Sequence, residues 1–169
     1  MAKRITAQQI WEKHYKLFND CDKSKVRVWN DEDNKGFWWT VDGYTIYFVG
    51  GGSVAMSVTN KTWLPKIGEA VKESYEHGVL VKKEVHGRAG SEKVRKLTGT
   101  RDMEYYSSPV ECYVNEKFLK GLPKNTLMYI TAYTRPVFVT MDAAGIPPVK
   151  MIMPMGIRTT FVPNEGEEE

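Results

Sequence analysis

The sequence predicts an α+β fold: a mainly antiparallel sheet with two or three packed helices, in one domain. Three observations lead there. Two stretches with apolar residues at helical spacing bracket a block in which the period falls toward two. An Asp42-Gly43 pair separates two apolar, strand-forming runs, the short-range signature of a hairpin. The last third alternates strand-like runs with turn signals rather than with long crossover helices. A chain of 169 residues has material for one ordinary core. We read residues 1–161 as a single α+β domain and 162–169 as an acidic, disordered tail.

The first element is a helix. Thr6 and Gln9 have capping-box spacing, and Ile10, His14, Leu17 and Phe18 follow on one face. His14 has no second histidine or close carboxylate pattern beside it, so it reads as a satisfied interfacial histidine rather than a ligand. From Val26, VRVW, GFWWTV and YTIYFV read as strands, and SVAMSV as a further strand after Gly50-Gly51-Gly52. The three glycines lack a following Gly-Lys-Ser/Thr and form a hairpin connection, not a phosphate loop. Trp63-Leu64-Pro65 opens a second helix, with Ile67, Val71 and Tyr75 four apart and Pro65 in its first turn. His77-Gly78 ends it before the strand VLVKKEVH. SEKVRKL reads as a short helix in a glycine-containing segment. PVECYVN is a strand, NEKFLKGL a short helix capped by Asn115, and TLMYITAYT, PVFVTMD and VKMIMPM are strands. Pro136 belongs at a strand start.

Charge is unevenly placed around a net of +3: residues 82–101 carry seven Lys or Arg against two Glu, while four acids fall within the last five residues. Lys82, Lys83, Arg88, Lys93, Arg95, Lys96 and Arg101 are candidates for phosphate contact, which supplies affinity without base specificity. A solvated charged surface is the other reading of the same run. Tyr105 and Tyr106 lie nearby, either as stacking platforms or as packed strand residues. The aromatic block offers Trp29, Trp38 and Trp39 as a protein interface. Alternation puts Phe37 and Trp39 on one face and Trp38 on the other, so a second packing layer is the alternative to a partner.

No stretch has the roughly twenty consecutive apolar residues that span a bilayer, and no apolar signal core follows the first residues. A cytoplasmic location without membrane contact is expected, with Cys21 and Cys112 reduced. The acids Asp20, Asp22, Asp31, Glu32 and Asp33 lack EF-hand spacing. His77 and His86 form no recognised pair, and neither a zinc signature nor a nucleophile elbow is present. A non-enzymatic protein without cofactor or metal is expected.

Val114, Asn115, Lys117, Phe118 and Leu119, then Pro136-Val137-Phe138, then Met153-Pro154-Met155, stand in an order that resembles the end of the bacterial DNA polymerase sliding clamp, a processivity factor. The resemblance runs from Glu111 to Ile157, and Gly156-Ile157 replace that family's Arg-Leu. Clamp chains carry three such domains, whereas this one has material for about one. The resemblance implies a clamp-like replication accessory that contacts double-stranded DNA, acts as a homo-oligomer and binds short apolar peptides of replication or other nucleic-acid-processing proteins. Met153, Pro154 and Met155 correspond to the family's peptide pocket. The same residues also read as a strand end packed in a sheet. The alternative function is a small inhibitor or adaptor that binds a nucleic-acid-processing complex through the aromatic sheet face.

Overall fold

The structure, a computed structural model, describes residues 5–51, 64–157 and 160–167. The SVAMSV segment and Trp63 lie outside the described residues. Helix α1 (Ala7–Asp20) starts at the predicted capping box. Thr6 Oγ1 accepts from the Gln9 backbone N–H, and the Gln9 side chain accepts from the Thr6 N–H. Strands β1 (Arg27–Asp31), β2 (Gly36–Thr40) and β3 (Thr45–Gly50) form a meander whose second turn is built on Asp42 and Gly43. Asp42 Oδ1 accepts from the Tyr44 and Thr45 N–H groups, and Gly43 takes φ of 79°, which a glycine adopts without strain. Helix α2 (Leu64–His77) ends at Gly78, as its composition predicts.

The remaining strands are β4 (Val79–Leu80), β5 (Lys83–Ala89), β6 (Glu92–Asp102), β7 (Ser107–Asn115), β8 (Thr126–Ile130), β9 (Val137–Met141), β10 (Pro148–Ile152) and β11 (Val162–Pro163). They build two antiparallel sheets. The larger has the order β1-β2-β3-β10-β9-β8-β4 and the smaller β11-β5-β6-β7. Among the described residues the fold is therefore α+β, with mainly antiparallel sheet and two α-helices, as expected.

Three expectations are corrected. SEKVRKL is strand β6, not a helix, because its residues pair along their length with both β5 and β7. NEKFLKGL is reduced to one 3-10 turn, Glu116–Phe118, although Asn115 caps it as expected by accepting from the Lys117 N–H. Val162–Pro163, assigned to the tail, pair with Gly87 and Arg88 and extend the small sheet.

Layering follows from burial. Every residue of β2, β9 and β10 is buried, so the large sheet is covered on both faces. On one face Trp38, Ile46, Phe48, Phe138 and Met151 pack beneath Ile67 and Val71 of α2. On the other, Phe18 of α1 meets Phe37 and Trp39 edge-on at 5.3 and 5.6 Å. Farther along that face, Val137, Val139 and Ile152 pack with Ile10 of α1 and with Leu97, Cys112 and Val114 of the small sheet. The small sheet's outer face, Val85, Val94 and Tyr113, is covered by Phe161, Met155 and Ile157. No helix among the described residues is long and apolar enough to cross a membrane.

Among the polar side chains buried in these layers are Asp31, His14 and Lys150. Asp31, 2% exposed, accepts from the Trp38 indole N–H at 2.9 Å and from the Asn34 side-chain and backbone N–H groups. His14 donates through Nδ1 to the Phe48 carbonyl at 2.9 Å. Burial lowers its pKa to about 4 against that hydrogen bond, and the charge of Lys150 lowers it further. Lys150 is itself buried, donates Nζ to the Phe118 carbonyl at 2.8 Å, and is lowered to about 8 by burial.

Two outcomes follow. Asp31→Ala strands the Trp38 N–H in the core and should cost about 2–4 kcal/mol in urea unfolding. For His14, the unfolded chain takes up a proton near pH 6.5 while the folded chain resists until about pH 4, so stability falls as pH drops between those values. The loss should total about 3 kcal/mol, the equivalent of about two pKa units. Urea midpoints at pH 4.5 and 7 should diverge in the parent and converge in His14→Phe. An unaltered pH slope in the variant would assign the loss to other groups.

Candidate functional site

A cleft with several apolar side chains in its lining lies between the first half of α2, the starts of β3 and β9, and the end of β10. Its volume is about 380 Å³, and Ile46, Ile67, Ala70, Pro136 and Met153 line it. Each of these side chains has a local reason to be there. Ile67 and Ala70 are three apart on α2 and face the sheet side of the helix. Ile46 pairs with Met151 across β3 and β10, and Pro136 immediately precedes β9, where its missing N–H costs no ladder bond. Beyond β10, the Met153 N–H donates to the Tyr44 carbonyl at 2.8 Å, which fixes the chain as it leaves the sheet. The rim is charged, with Lys66, Glu69 and Arg135, and Arg135 Nε lies 3.2 Å from Glu73 on α2.

Of the three residues assigned to a peptide pocket, only Met153 lines this cleft. Pro154 is half-buried, and Met155 turns into the small sheet's outer core beside Val85, Val94 and Phe161. Its N–H donates to the Tyr113 carbonyl at 2.7 Å. That bond also fixes the outward parity of β7. Residues 113, 111 and 109 direct their backbone groups away from β6, and Pro109 has no N–H to present on that side.

The seven cations do not share a face. Strand alternation puts Lys83 and Lys96 on the outer side of the small sheet and Arg88, Lys93, Arg95 and Arg101 on the other. Lys82 precedes β5, and its N–H donates to the Thr98 carbonyl. Several are engaged within the protein. Lys96 lies 3.5 Å from Glu111, and Arg95 lies 3.1 Å from Glu84 and 3.6 Å from Glu116. Arg101 donates to the carbonyls of His77 and Thr131 at 2.8 Å each, tying the small sheet to the end of α2. Lys82, Lys83, Arg88 and Lys93 are exposed.

Among the aromatics assigned to an interface, Trp38 and Trp39 are 0% and 3% exposed. Both faces of the aromatic sheet found a packing layer, α1 over Trp39 and α2 over Trp38, so neither indole is available to a partner in the folded protein. Trp29 is half-buried and lies against Gly68 of α2, where an added Cβ would come within 2.9 Å of the indole. Tyr105 and Tyr106 are exposed at the tip of the β6–β7 hairpin.

His77 and His86 do not form a pair. His77 Nε2 lies 3.7 Å from Glu76, and His86 Nδ1 lies 2.8 Å from Glu116. Burial raises the Glu116 carboxyl, but the His86 hydrogen bond and the Arg95 charge outweigh it and hold the group below the usual carboxylate range. Cys21 and Cys112 are free thiols. Cys112 is buried, donates to the Ala132 carbonyl, and is pushed up to about 12 by burial, with the Glu111 charge adding to the rise. Among the described residues no group of three or more His, Cys, Asp or Glu is placed to hold a metal ion.

The contrast between Met153 and Met155 has a measurable outcome. Met155→Asp buries a carboxylate against Phe161 and should lower stability by about 2–4 kcal/mol, whereas Met153→Gln at the cleft should cost less than about 1 kcal/mol. Equal losses in urea unfolding would contradict their different placement. Comparison with protein-family models, with curated proteins and with solved structures finds no match to this chain.

Proposed function

We propose that this protein is a non-enzymatic interaction module that holds a short apolar peptide in the cleft between α2 and Met153. The supporting observation is the set of apolar side chains Ile46, Ile67, Ala70, Pro136 and Met153 lining one open cleft of about 380 Å³. That volume suits a few side chains rather than a folded partner. Methionine at the exit of β10 is the most adaptable of the apolar residues and accommodates different occupants. Lys66, Arg135 and Glu69 around the rim provide both charge signs for the polar ends of an extended peptide. This is the peptide-binding part of the clamp-like reading and rests on the cleft alone. The dispersed cations give no equivalent support to its DNA-binding part.

Burying two leucine-sized anchors contributes about 1.5–3 kcal/mol each, before the cost of ordering the peptide. Affinity in the range of about 10 μM to 1 mM is expected. A labelled hexapeptide with two leucines and a phenylalanine should give saturable fluorescence anisotropy with the full chain, and its all-serine counterpart should not. Ala70→Arg should weaken binding at least about tenfold, the loss of one anchor. Arg88→Ala, on the small sheet, should leave it unchanged. Absence of saturable binding, or equal binding by Ala70→Arg, would sink the reading.

A further inference from the structure

A second, smaller pocket lies at the opposite end of α2 from the peptide cleft. Its volume is about 100 Å³, and Tyr75, Gly78, Tyr129, Phe138, Thr140 and Ile146 line it together with Ser74. Three features distinguish it from a packing defect. The first is Thr140 on β9, 1% exposed, whose hydroxyl has no hydrogen-bond partner among the described residues. Buried polar atoms are nearly always satisfied, so an unpaired hydroxyl on a residue that lines a pocket needs a physical reason. The second is the wall. The Tyr75 and Phe138 rings meet edge-to-face at 4.9 Å, and the Tyr75 hydroxyl is held from behind by Asn34 Oδ1 at 3.2 Å. Gly78 closes the floor so tightly that a Cβ there would strike the Ser74 carbonyl and lie 3.2 Å from Tyr129. The third is Ile146, 44% exposed at φ of 46°, a left-handed conformation that a β-branched residue adopts only under strain. The Ile146 N–H closes its turn on the Ala143 carbonyl at 3.0 Å. Glycine or asparagine would suit that backbone better, so an apolar side chain at the rim points to a use for it.

We propose that this pocket binds a small neutral molecule with an apolar ring and a single hydroxyl, hydrogen-bonded to Thr140 and covered by Ile146. The lining contains no Asp, Glu, Lys, Arg or His, so a charged ligand would be desolvated without a counter-ion. Aromatic walls favour a ring over a branched aliphatic body, through edge-to-face contact. A closed cavity of about 150 Å³ takes up benzene, so an open pocket two-thirds that size seats one six-membered ring with an edge toward solvent. Of the hydroxyls on the lining residues, that of Thr140 is the one both buried and unpaired, and a single hydroxyl on the ligand would satisfy it.

Phenol and benzene are the probes, titrated into the isotope-labelled full chain with amide shifts as the readout. Phenol should shift the Ser74, Gly78 and Ile146 amides along one saturable curve. Thr140→Val keeps the side-chain shape and removes the hydroxyl; it should weaken phenol roughly three- to tenfold, the worth of one hydrogen bond, and leave benzene affinity within about twofold. Ile146→Gly fits the backbone and uncovers the ring, so it should weaken both probes. Without ligand, the unfolding midpoint of Thr140→Val should equal or exceed the parent's, because an unpaired hydroxyl has been removed. Amide shifts that fail to saturate at these positions, unaltered phenol affinity in Thr140→Val, or a marked loss of its stability without ligand would each overturn the proposal.

Discussion

Burial of the large sheet on both faces is the constraint from which the architecture follows. Strands β2, β9 and β10 have no solvent side, so each presents apolar residues in both directions and requires a cover above and below. Helix α2 supplies one cover. The other is composite, with α1 over the N-terminal meander and the small sheet over β8–β10. The two apolar recesses on the α2 side, the peptide cleft and the pocket under Ile146, lie at the two ends of this helix, where one rod leaves the margins of a wider sheet incompletely covered.

A core closed on both sides makes its polar residues consequential. Asp31 and Trp38 satisfy each other, and Asn34 extends the network to Tyr75, which is also a wall of the small pocket. His14 and Lys150 share the α1 side of the sheet, and each spends a hydrogen bond on a backbone carbonyl instead of a carboxylate. Among the described residues neither is paired as a salt bridge, and burial makes both favour their neutral forms more than the same groups in water. Stability therefore depends on pH through His14 of α1 and, at higher pH, through Lys150 of β10.

Local signals were readable and long-range ones were not. Thr6 and Gln9 located the start of α1, Asp42-Gly43 located a hairpin, and Pro65 with His77-Gly78 bracketed α2, because each effect operates within a few residues. The glycines near the basic run were misleading. Gly87 and Gly99 resemble loop punctuation, but both lie in strands at points where another segment crosses. Phe161 packs over Gly87, and the Leu80 carbonyl lies 2.7 Å from where a Cβ on Gly99 would stand. Phe37, Trp38 and Trp39 announced a two-faced strand without revealing that helices cover both faces. The cleft was legible only at Met153, since Ile46, Ala70 and Pro136 meet through tertiary packing and share no motif. For the same reason Thr140 carried no sign of a pocket.

The insertion of β10 between β3 and β9 also bears on how the protein is made. β3 has β2 on one side, and its other neighbour comes roughly 100 residues later, a delay on the order of 5–20 s at roughly 5–20 residues per second of synthesis. During that interval Ile46, Phe48 and the neighbouring tryptophans belong to a half-built sheet with an open, apolar edge. A nascent chain in this state is a substrate for chaperones and for pairing with another copy, and arrival of Pro148–Ile152 ends the exposure by joining the two halves of the sheet.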